Sequence, residues 1–429
     1  MSKRLGHPPG RAGVRACGRA GARVGGSGYD PSMAERVMAT VTPAVLKWAR
    51  ESGGLALDVA AQRIGVASAK LAAVEDGSGL LTFPQLRKAA TVYKRPLAVF
   101  FLAEPPVVEL PVADFRRVPE ALGTPISPEL RLEVRRLNRK REIAAWLGDG
   151  DAIDWSYVGE VTIDTAPAAE LVAARLRKVF GYNDHVRRQW RDDYQAFRWW
   201  RTAIENLGVL VFLSRRIAVD EMRGFSIARK PYPVIALNRG DQPRPRIFTL
   251  LHEFTHLLLG ESAMCDISED GGIDARRRRI EIYCNAVAGE TLVPRNELLA
   301  MDTVRQHRRN VVWSDVELQV IAAAFSVSLE MVLRRLLTLD LATLDEYRSY
   351  RARWARERQA ERDAAEPQNW GEKQHEIAMR TQGLPFVRMV LEAMHRDAVT
   401  ASDVSDFLDM KLDYLNDLEL AVVAAGSSG

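Results

Sequence analysis

Residues 247–259 read IFTLLHEFTHLLL, a run of apolar residues that encloses two histidines and a glutamate. The apolar side chains recur at helical spacing, and His252 and His256 stand four positions apart. Residues four apart lie on one face of a helix, about 6 Å apart along its axis, so both imidazoles can reach one ion. The sequence therefore predicts a buried helix that carries a metal site.

A second segment supplies the remaining parts of this site. Zinc binds neutral imidazole readily, and a catalytic zinc site has three protein ligands and a fourth position for water. Residues 279–286 read RIEIYCNA and place Glu281 and Asn285 four positions apart on another predicted helix. We expect Glu281 to be the third ligand and Asn285 to accept a hydrogen bond from a ligand imidazole. Glu253 is then free to act as the general base.

Two other interpretations of these residues stay open. A structural zinc site usually closes with a fourth cysteine or histidine, and Cys265 and Cys284 are the candidates for that position. Glu253 could also be a surface carboxylate without a chemical role. Either alternative would remove the basis for catalysis.

The composition is that of a globular protein with several domains. The chain has 429 residues, too many for one compact core, and 47% of them are hydrophobic and 27% charged. No apolar run approaches the roughly 18 residues that span a bilayer, and the first residues lack the apolar stretch of about 7 to 15 residues of a secretory signal. Three cysteines without a CxxC pair fit a reducing compartment. We expect a cytoplasmic protein that does not bind a membrane.

The order of the predicted elements divides the chain into five parts. The first is a basic tail, which is either a disordered arm or precedes a true translation start at Met33 or Met38. It is followed by a bundle of short helices broken at glycines, a linker with an amphipathic helix, a larger central domain, and a charged spacer with a small helical module. The predicted bounds of the five parts are 1–32, 33–106, 107–149, 150–344 and 345–429.

The predicted fold is multidomain and mainly α, with an α+β central domain. Apolar and β-branched runs predict strands at Val209–Leu213, Gly224–Ile227 and Pro233–Asn238, which we expect to form a small antiparallel sheet beside the helices. Because the third strand directly precedes the histidine helix, we expect it to be an exposed edge strand to which an extended peptide substrate adds. The residues that would contact the substrate there are Val234, Ile235, Ala236, Leu237 and Asn238.

Four segments of the chain resemble the ImmA/IrrE family of metallo-endopeptidases. These segments are MRGF at 222–225, PVIALN at 233–238, FTLLHEFTHL at 248–257 and EIYCNAVA at 281–288, and the likeness extends over about residues 150–340. It implies a zincin-like peptidase domain. It also implies a repressor of the helix-turn-helix class as the protein substrate, whose cleavage releases stress or mobile-element genes.

The family's site residues correspond to positions already singled out. Its zinc ligands match His252, His256 and Glu281, and its catalytic glutamate matches Glu253. The resemblance therefore implies zinc as the cofactor and peptide hydrolysis as the reaction.

The bundle before the linker is similar to the XRE-type helix-turn-helix that is fused to this peptidase in longer members. The likeness rests on Leu57–Glu75, with Gly65 at the turn, and on DFR at 114–116. It implies contact with DNA through the second helix of the motif. The polar side chains near the start of that helix are Ser68 and Lys70.

Two hypotheses of different classes follow from these features. The first is a zinc-dependent endopeptidase that acts on a protein partner. In this hypothesis DNA, bound through the N-terminal helix-turn-helix, and a second copy of the chain are further candidate partners. The second is a DNA-binding regulator or antitoxin in which the zinc domain is a sensor. If Glu253 is dispensable while Lys70 and its neighbours are required, the second hypothesis gains.

Overall fold

The structure is a computed structural model that describes residues 38–106, 127–215, 217–262, 264–265, 275–308, 311–364 and 373–426. The predicted basic tail at 1–32 and the DFR segment at 114–116 lie outside the described residues. The side chain of Cys265, one of the candidate closing ligands, also lies outside them.

The N-terminal part is a helical bundle that also contains a short antiparallel sheet of two strands. The sequence predicts five short helices in this part, at 43–52, 56–64, 68–75, 82–93 and 96–102. The first four are confirmed to within one residue, and the last is a 3₁₀ turn, Leu97–Phe101. Gly65 ends the second helix in the left-handed conformation with φ +84°, as its position at the turn requires. The elements are β1 Met38–Ala39, α1 Pro43–Ser52, α2 Leu57–Ile64, α3 Ser68–Glu75, β2 Leu81–Thr82 and α4 Phe83–Tyr93.

The central sheet has four strands and is mixed. Its strands are β3 Leu210–Ser214, β4 Gly224–Ile227, β5 Val234–Asn238 and β6 Met264–Cys265, in the order β3-β5-β4-β6. Strands β3 and β5 are parallel, whereas β4 is antiparallel to β5 and β6. The prediction of an antiparallel sheet was therefore wrong for the β3–β5 pair. After β3 the chain forms β4, which lies on the other side of β5. It then fills the position between them with β5, which runs parallel to β3.

The prediction of an exposed edge strand at 233–238 was also wrong. Strand β5 is hydrogen-bonded on both sides, to β3 and to β4, and no substrate can add to it. All five of its predicted substrate contacts are buried in the sheet, namely Val234, Ile235, Ala236, Leu237 and Asn238. An apolar run that is buried on both faces is typical of an interior strand.

One face of the sheet packs against the histidine helix and the helices around it. Val211 and Leu213 of β3 and Ile235 and Leu237 of β5 point to this side, as the two-residue period of a strand requires. The helices in this layer and beyond it are α6 Ala169–Phe180, α7 Asp184–Gln189, α8 Asp193–Glu205, α9 Pro243–Leu258, α10 Ala275–Leu292, α11 Arg295–Ala300, α12 Asp302–Gln306, α13 Asp315–Phe325, α14 Leu329–Thr338 and α15 Leu344–Ala364.

Helix α15 differs from the solvated spacer predicted for this charged segment. Tyr347, Tyr350 and Trp354 in its first half are buried in the same core as α9. Their spacing puts these aromatic rings on one face of the helix, and the charged residues around them conceal the pattern in the sequence.

The opposite face of the sheet is covered by helices that the sequence assigned to other parts of the chain. They are α5 Pro128–Leu147, α16 Gln374–Gln382, α17 Leu384–His395, α18 Ala401–Leu408 and α19 Leu415–Gly426. Leu210 and Phe212 of β3 share a core with Leu137 of α5 and Phe386 of α17. The C-terminal helices thus pack on the central sheet rather than as a separate module.

Among the described residues, no single helix is both long enough and apolar enough to cross a membrane. Only α13 and α14 together meet both criteria, and they are bent by 96° relative to each other.

Candidate metal centre

Helix α9 carries the predicted site through the interior of the central domain. It begins with a proline at its first turn, Pro243, where the missing N–H group costs nothing. Every residue from Arg246 to Leu258 is buried, between the sheet on one side and α8 and α10 on the other. Burying imidazoles and a carboxylate in such a helix is costly unless they are paired or bind a metal. The position of α9 therefore points to a function for its polar residues.

Three side chains with donor atoms converge where α9 faces α10. The Nε2 atoms of His252 and His256 lie 3.2 Å apart. The carboxylate oxygens of Glu281 lie 3.3 Å from Nε2 of His252 and 3.5 Å from Nε2 of His256. A tetrahedral zinc ion with bonds of about 2.0–2.1 Å would hold its ligand atoms about 3.3 Å apart. The three side chains, called the metal donors below, thus fit one metal ion.

Glu281 and His256 favour the protonation states that bind a metal, whereas His252 must release a proton when the metal binds. Burial alone would raise the pKa of Glu281, but the charge of His256 and the hydrogen bond with His252 lower it to about 2. Burial lowers the pKa of His256 to about 4. The pKa of His252 is raised, because the hydrogen bond and charge of Glu281 outweigh the effect of burial. A carboxylate and a neutral imidazole are the protonation states that bind a metal.

Cys284 is a further possible ligand at the same place. Its side chain is buried, and its sulfur lies with the two histidine donors in a group whose atoms are all within 4.8 Å of one another. Burial raises the pKa of the Cys284 thiol well above its usual value. The position of Cys284 thus matches the alternative of a closed site, whereas its raised pKa disfavours the thiolate that would bind the ion.

Glu253 is fully buried and lies against strand β4, which excludes the alternative of a surface carboxylate. The contact is close because residue 224 is a glycine. A Cβ atom at Gly224 would lie 3.1 Å from Oε1 of Glu253 and 2.6 Å from Cγ2 of Thr249. Gly224 belongs to the MRGF segment at 222–225. Its role in admitting α9 to the sheet follows from the packing.

The predicted role of Asn285 is wrong in this structure. Its Oδ1 atom is buried and accepts no hydrogen bond from the described residues, so it does not orient a ligand imidazole. Residue 285 is one turn beyond Glu281 on α10, and its side chain faces a small cavity beside α14. That cavity is also lined by Arg334, a residue that sequence reasoning missed and whose charge acts on His252.

A peptidase site also needs a group that stabilises the oxyanion, and the sequence offers Tyr232, Tyr283 and His307 as candidates, but each of them has other contacts. The hydroxyl of Tyr283 donates to the carbonyl of Pro167, 3.0 Å away. Tyr232 belongs to the core on the opposite face of the sheet. His307 stacks on a tryptophan and contacts a carboxylate 2.8 Å away.

The two predicted DNA contacts lie at the start of α3, far along the chain from the metal donors. Ser68 is exposed, and Lys70 is partly exposed with its Nζ donating to Oε1 of Gln85 at 3.1 Å. Helix α3 is fixed to α1 by the ion pair of Arg50 and Glu75, with a shortest distance of 2.7 Å. Contact with DNA stays a prediction.

Comparison with known proteins identifies the central part of the chain. Residues 204–337 match the family model Peptidase_M78, described as the IrrE N-terminal-like domain. The matched region runs from the end of α8 to α14, and it contains all three metal donors and Glu253. It supports a metallopeptidase of the ImmA/IrrE family and does not reach the N-terminal bundle. No curated protein and no solved structure matches the chain.

Proposed function

We propose that the protein is a zinc-dependent endopeptidase that hydrolyses a peptide bond in a protein partner. The observation that carries this proposal is the convergence of three side chains: the Nε2 atoms of His252 and His256 lie 3.2 Å apart, and one carboxylate oxygen of Glu281 lies close to each of them, at 3.3 and 3.5 Å. Three protein ligands leave a fourth position of a tetrahedral ion for water or substrate. A site of this kind is catalytic rather than structural.

The side chains of α9 and α10 have two roles in hydrolysis, metal binding and proton transfer. A zinc ion held by the metal donors would polarise a substrate carbonyl and make a water molecule more acidic. Glu253, next to a ligand on α9, takes the proton of the attacking water and passes it to the departing amine nitrogen. Because Glu253 is 0% exposed, its carboxylate is shielded from bulk water and its interactions are strengthened.

The metal donors favour the open site over the one closed by Cys284. Glu281 has one carboxylate oxygen close to each imidazole, so it supplies the third ligand of the site. In the closed alternative Cys284 would occupy the fourth position, and no place would remain for water.

We propose a repressor of the helix-turn-helix class as the substrate, acted on in the cytoplasm. The support for this choice is the resemblance of residues 222–288 to the ImmA/IrrE family, together with the match of residues 204–337. The N-terminal bundle, with α2 and α3 joined at Gly65, is a second surface at which DNA or another copy of the chain would bind.

The test combines zinc analysis with cleavage of the helix-turn-helix regulator encoded nearest to this protein. We expect about one zinc per chain in the wild type, in Glu253→Gln and in Cys284→Ser, and much less in Glu281→Gln. Only the wild type and Cys284→Ser should cleave the regulator.

Three results would contradict the proposal in different ways. Absence of zinc from the wild type removes the metal centre. Loss of zinc in Cys284→Ser as well as in Glu281→Gln shows a closed structural site in which the cysteine is the fourth ligand. Zinc in every variant without cleavage of the regulator by any of them overturns the proposed substrate and favours a zinc-containing sensor.

A further inference from the structure

A small cavity lies beside the metal donors, between helices α9, α10 and α14. Its volume is about 70 Å³, and it is partly open to solvent. Phe248, Ile282 and Met331 form apolar walls. The polar groups that line it include Asn285 and Arg334. The function proposed above does not use this cavity.

Each of the three helices that form the cavity carries a lining residue close to a metal donor. Phe248 is one turn before His252 on α9, and the centres of the two rings are 6.1 Å apart. Asn285 is one turn after Glu281 on α10. The charge of Arg334, from α14, acts on His252. A peptide whose carbonyl group reached the metal donors would therefore bring a neighbouring side chain to the mouth of the cavity.

The size of the cavity decides which side chains it can take. A cavity of about 150 Å³ holds a benzene molecule, and this one has roughly half that volume. It therefore has room for an aliphatic side chain of the size of valine, leucine or methionine and too little for an indole ring.

The charges and hydrogen-bonding groups of the lining restrict the choice further. Arg334 and Arg335 are only 8% and 5% exposed, and Arg335 is ion-paired with Glu290. The buried positive charge of Arg334 therefore disfavours a second cation in the cavity. The buried Oδ1 atom of Asn285 lacks a hydrogen-bond donor among the described residues. An N–H group of a bound peptide backbone would supply one.

We propose that this cavity is the specificity pocket of the peptidase, which receives an aliphatic side chain adjacent to the scissile bond, and that Asn285 accepts a hydrogen bond from the substrate backbone. The proposal rests on the proposed function, since it takes the metal donors as the place where the substrate carbonyl binds. Lysine, arginine and tryptophan side chains are excluded from the pocket, by charge or by size.

Gly289 offers a way to fill the pocket without disturbing the metal donors. A Cβ atom there would lie 3.4 Å from Cε of Met331 and 3.9 Å from Cδ of Arg335, which is ordinary contact. Gly289→Ala therefore fits and takes space from the cavity. Arg278→Ala, at an exposed position on the same helix, is the matched control.

The experiment measures binding of amino-acid hydroxamates to the zinc-loaded full chain by calorimetry, which does not depend on the natural substrate. We expect leucine hydroxamate to bind about ten-fold more tightly than the alanine, lysine or tryptophan compounds. Gly289→Ala should remove most of the advantage of leucine over alanine, and Arg278→Ala should preserve it. Asn285→Ala should weaken all four compounds by a similar factor.

The outcomes separate this inference from the proposed function. A wild-type chain that holds no zinc overturns the proposed function and with it the pocket. A chain that holds zinc but binds the four hydroxamates equally, or binds none of them, overturns the pocket alone. A preference for leucine that is unchanged in Gly289→Ala places the side chain elsewhere and also overturns the inference.

Discussion

The contact between α9 and β4 makes a quantitative prediction about Gly224. A Cβ atom at this position would lie 2.6 Å from Cγ2 of Thr249, 3.1 Å from the carbonyl oxygen of Ala236 and 3.1 Å from Oε1 of Glu253. Carbon atoms in contact are normally about 3.5–4.0 Å apart, so Gly224→Ala forces α9 or β4 to move by about 1 Å. Overpacking of this kind costs about 1–3 kcal/mol of unfolding free energy.

A second substitution tests whether this contact is the cause. Thr249→Ser removes the Cγ2 atom and keeps the hydroxyl, which donates to the carbonyl of Pro245 at 3.2 Å. Alone it should cost about 1 kcal/mol, for one lost methyl group. In the double variant the methyl no longer opposes the added Cβ, so its cost should be smaller than the sum of the single costs by about 1 kcal/mol or more.

The assay is urea unfolding of the full chain and of the three variants, together with the rate of substrate cleavage. Cleavage should fall by about ten-fold or more in Gly224→Ala, because the added Cβ also displaces the carboxylate of Glu253. The double variant should be no less stable than Gly224→Ala, and its cleavage should stay slow because the added Cβ still opposes Oε1 of Glu253. Stability costs that simply add would refute the close approach of α9 to β4 at this position.

Three further predictions concern other parts of the fold. Gly383→Ala should lower the unfolding free energy by at least about 2 kcal/mol, because φ is +83° and the new Cβ would lie 2.7 Å from a buried carboxylate oxygen. Gly181→Ala is the control in the same urea assay. It should cost only about 1 kcal/mol, since φ is +68° there but the space around it is open. Burial lowers the pKa of Lys140 from 10.5 to about 8, so the unfolded chain holds the proton more strongly and stability should rise between these pH values. This rise should be absent in Lys140→Met. The side-chain nitrogens of Arg135 are buried without hydrogen-bond partners, so Arg135→Met should raise the unfolding free energy by about 1 kcal/mol, and the exposed control Arg139→Met should change it little.

The metal donors were predictable because the information that places them is local. His252 and His256 share one helix, and their spacing of four residues fixes the distance between their imidazoles. Glu281 needed only a second helix and the resemblance to a family. The structure brings these three side chains together within 3.5 Å.

Features that depend on distant parts of the chain were not predictable in the same way. Strand β5 is apolar on both faces, which indicates burial, but its sequence does not predict which strands pair with it. In the structure these are β3 and β4. The cavity beside the donors requires Arg334 of α14, almost fifty positions beyond Asn285, to pack against α10. Side-chain pairing across such separations follows from the tertiary fold, and helical or strand periodicity does not contain it.

The extent of the family match therefore differs from the extent of the folded unit. The match ends at residue 337, yet the sheet within it has a second apolar face, which includes Phe212 and Ile227. Helix α5, before the match, and Phe386 of α17, beyond it, cover that face. Strand β4 lies between the two layers, since Phe225 belongs to the core that α5 and α17 share and Gly224 lies against α9. The helices outside the match thus fix the strand on which the position of Glu253 depends.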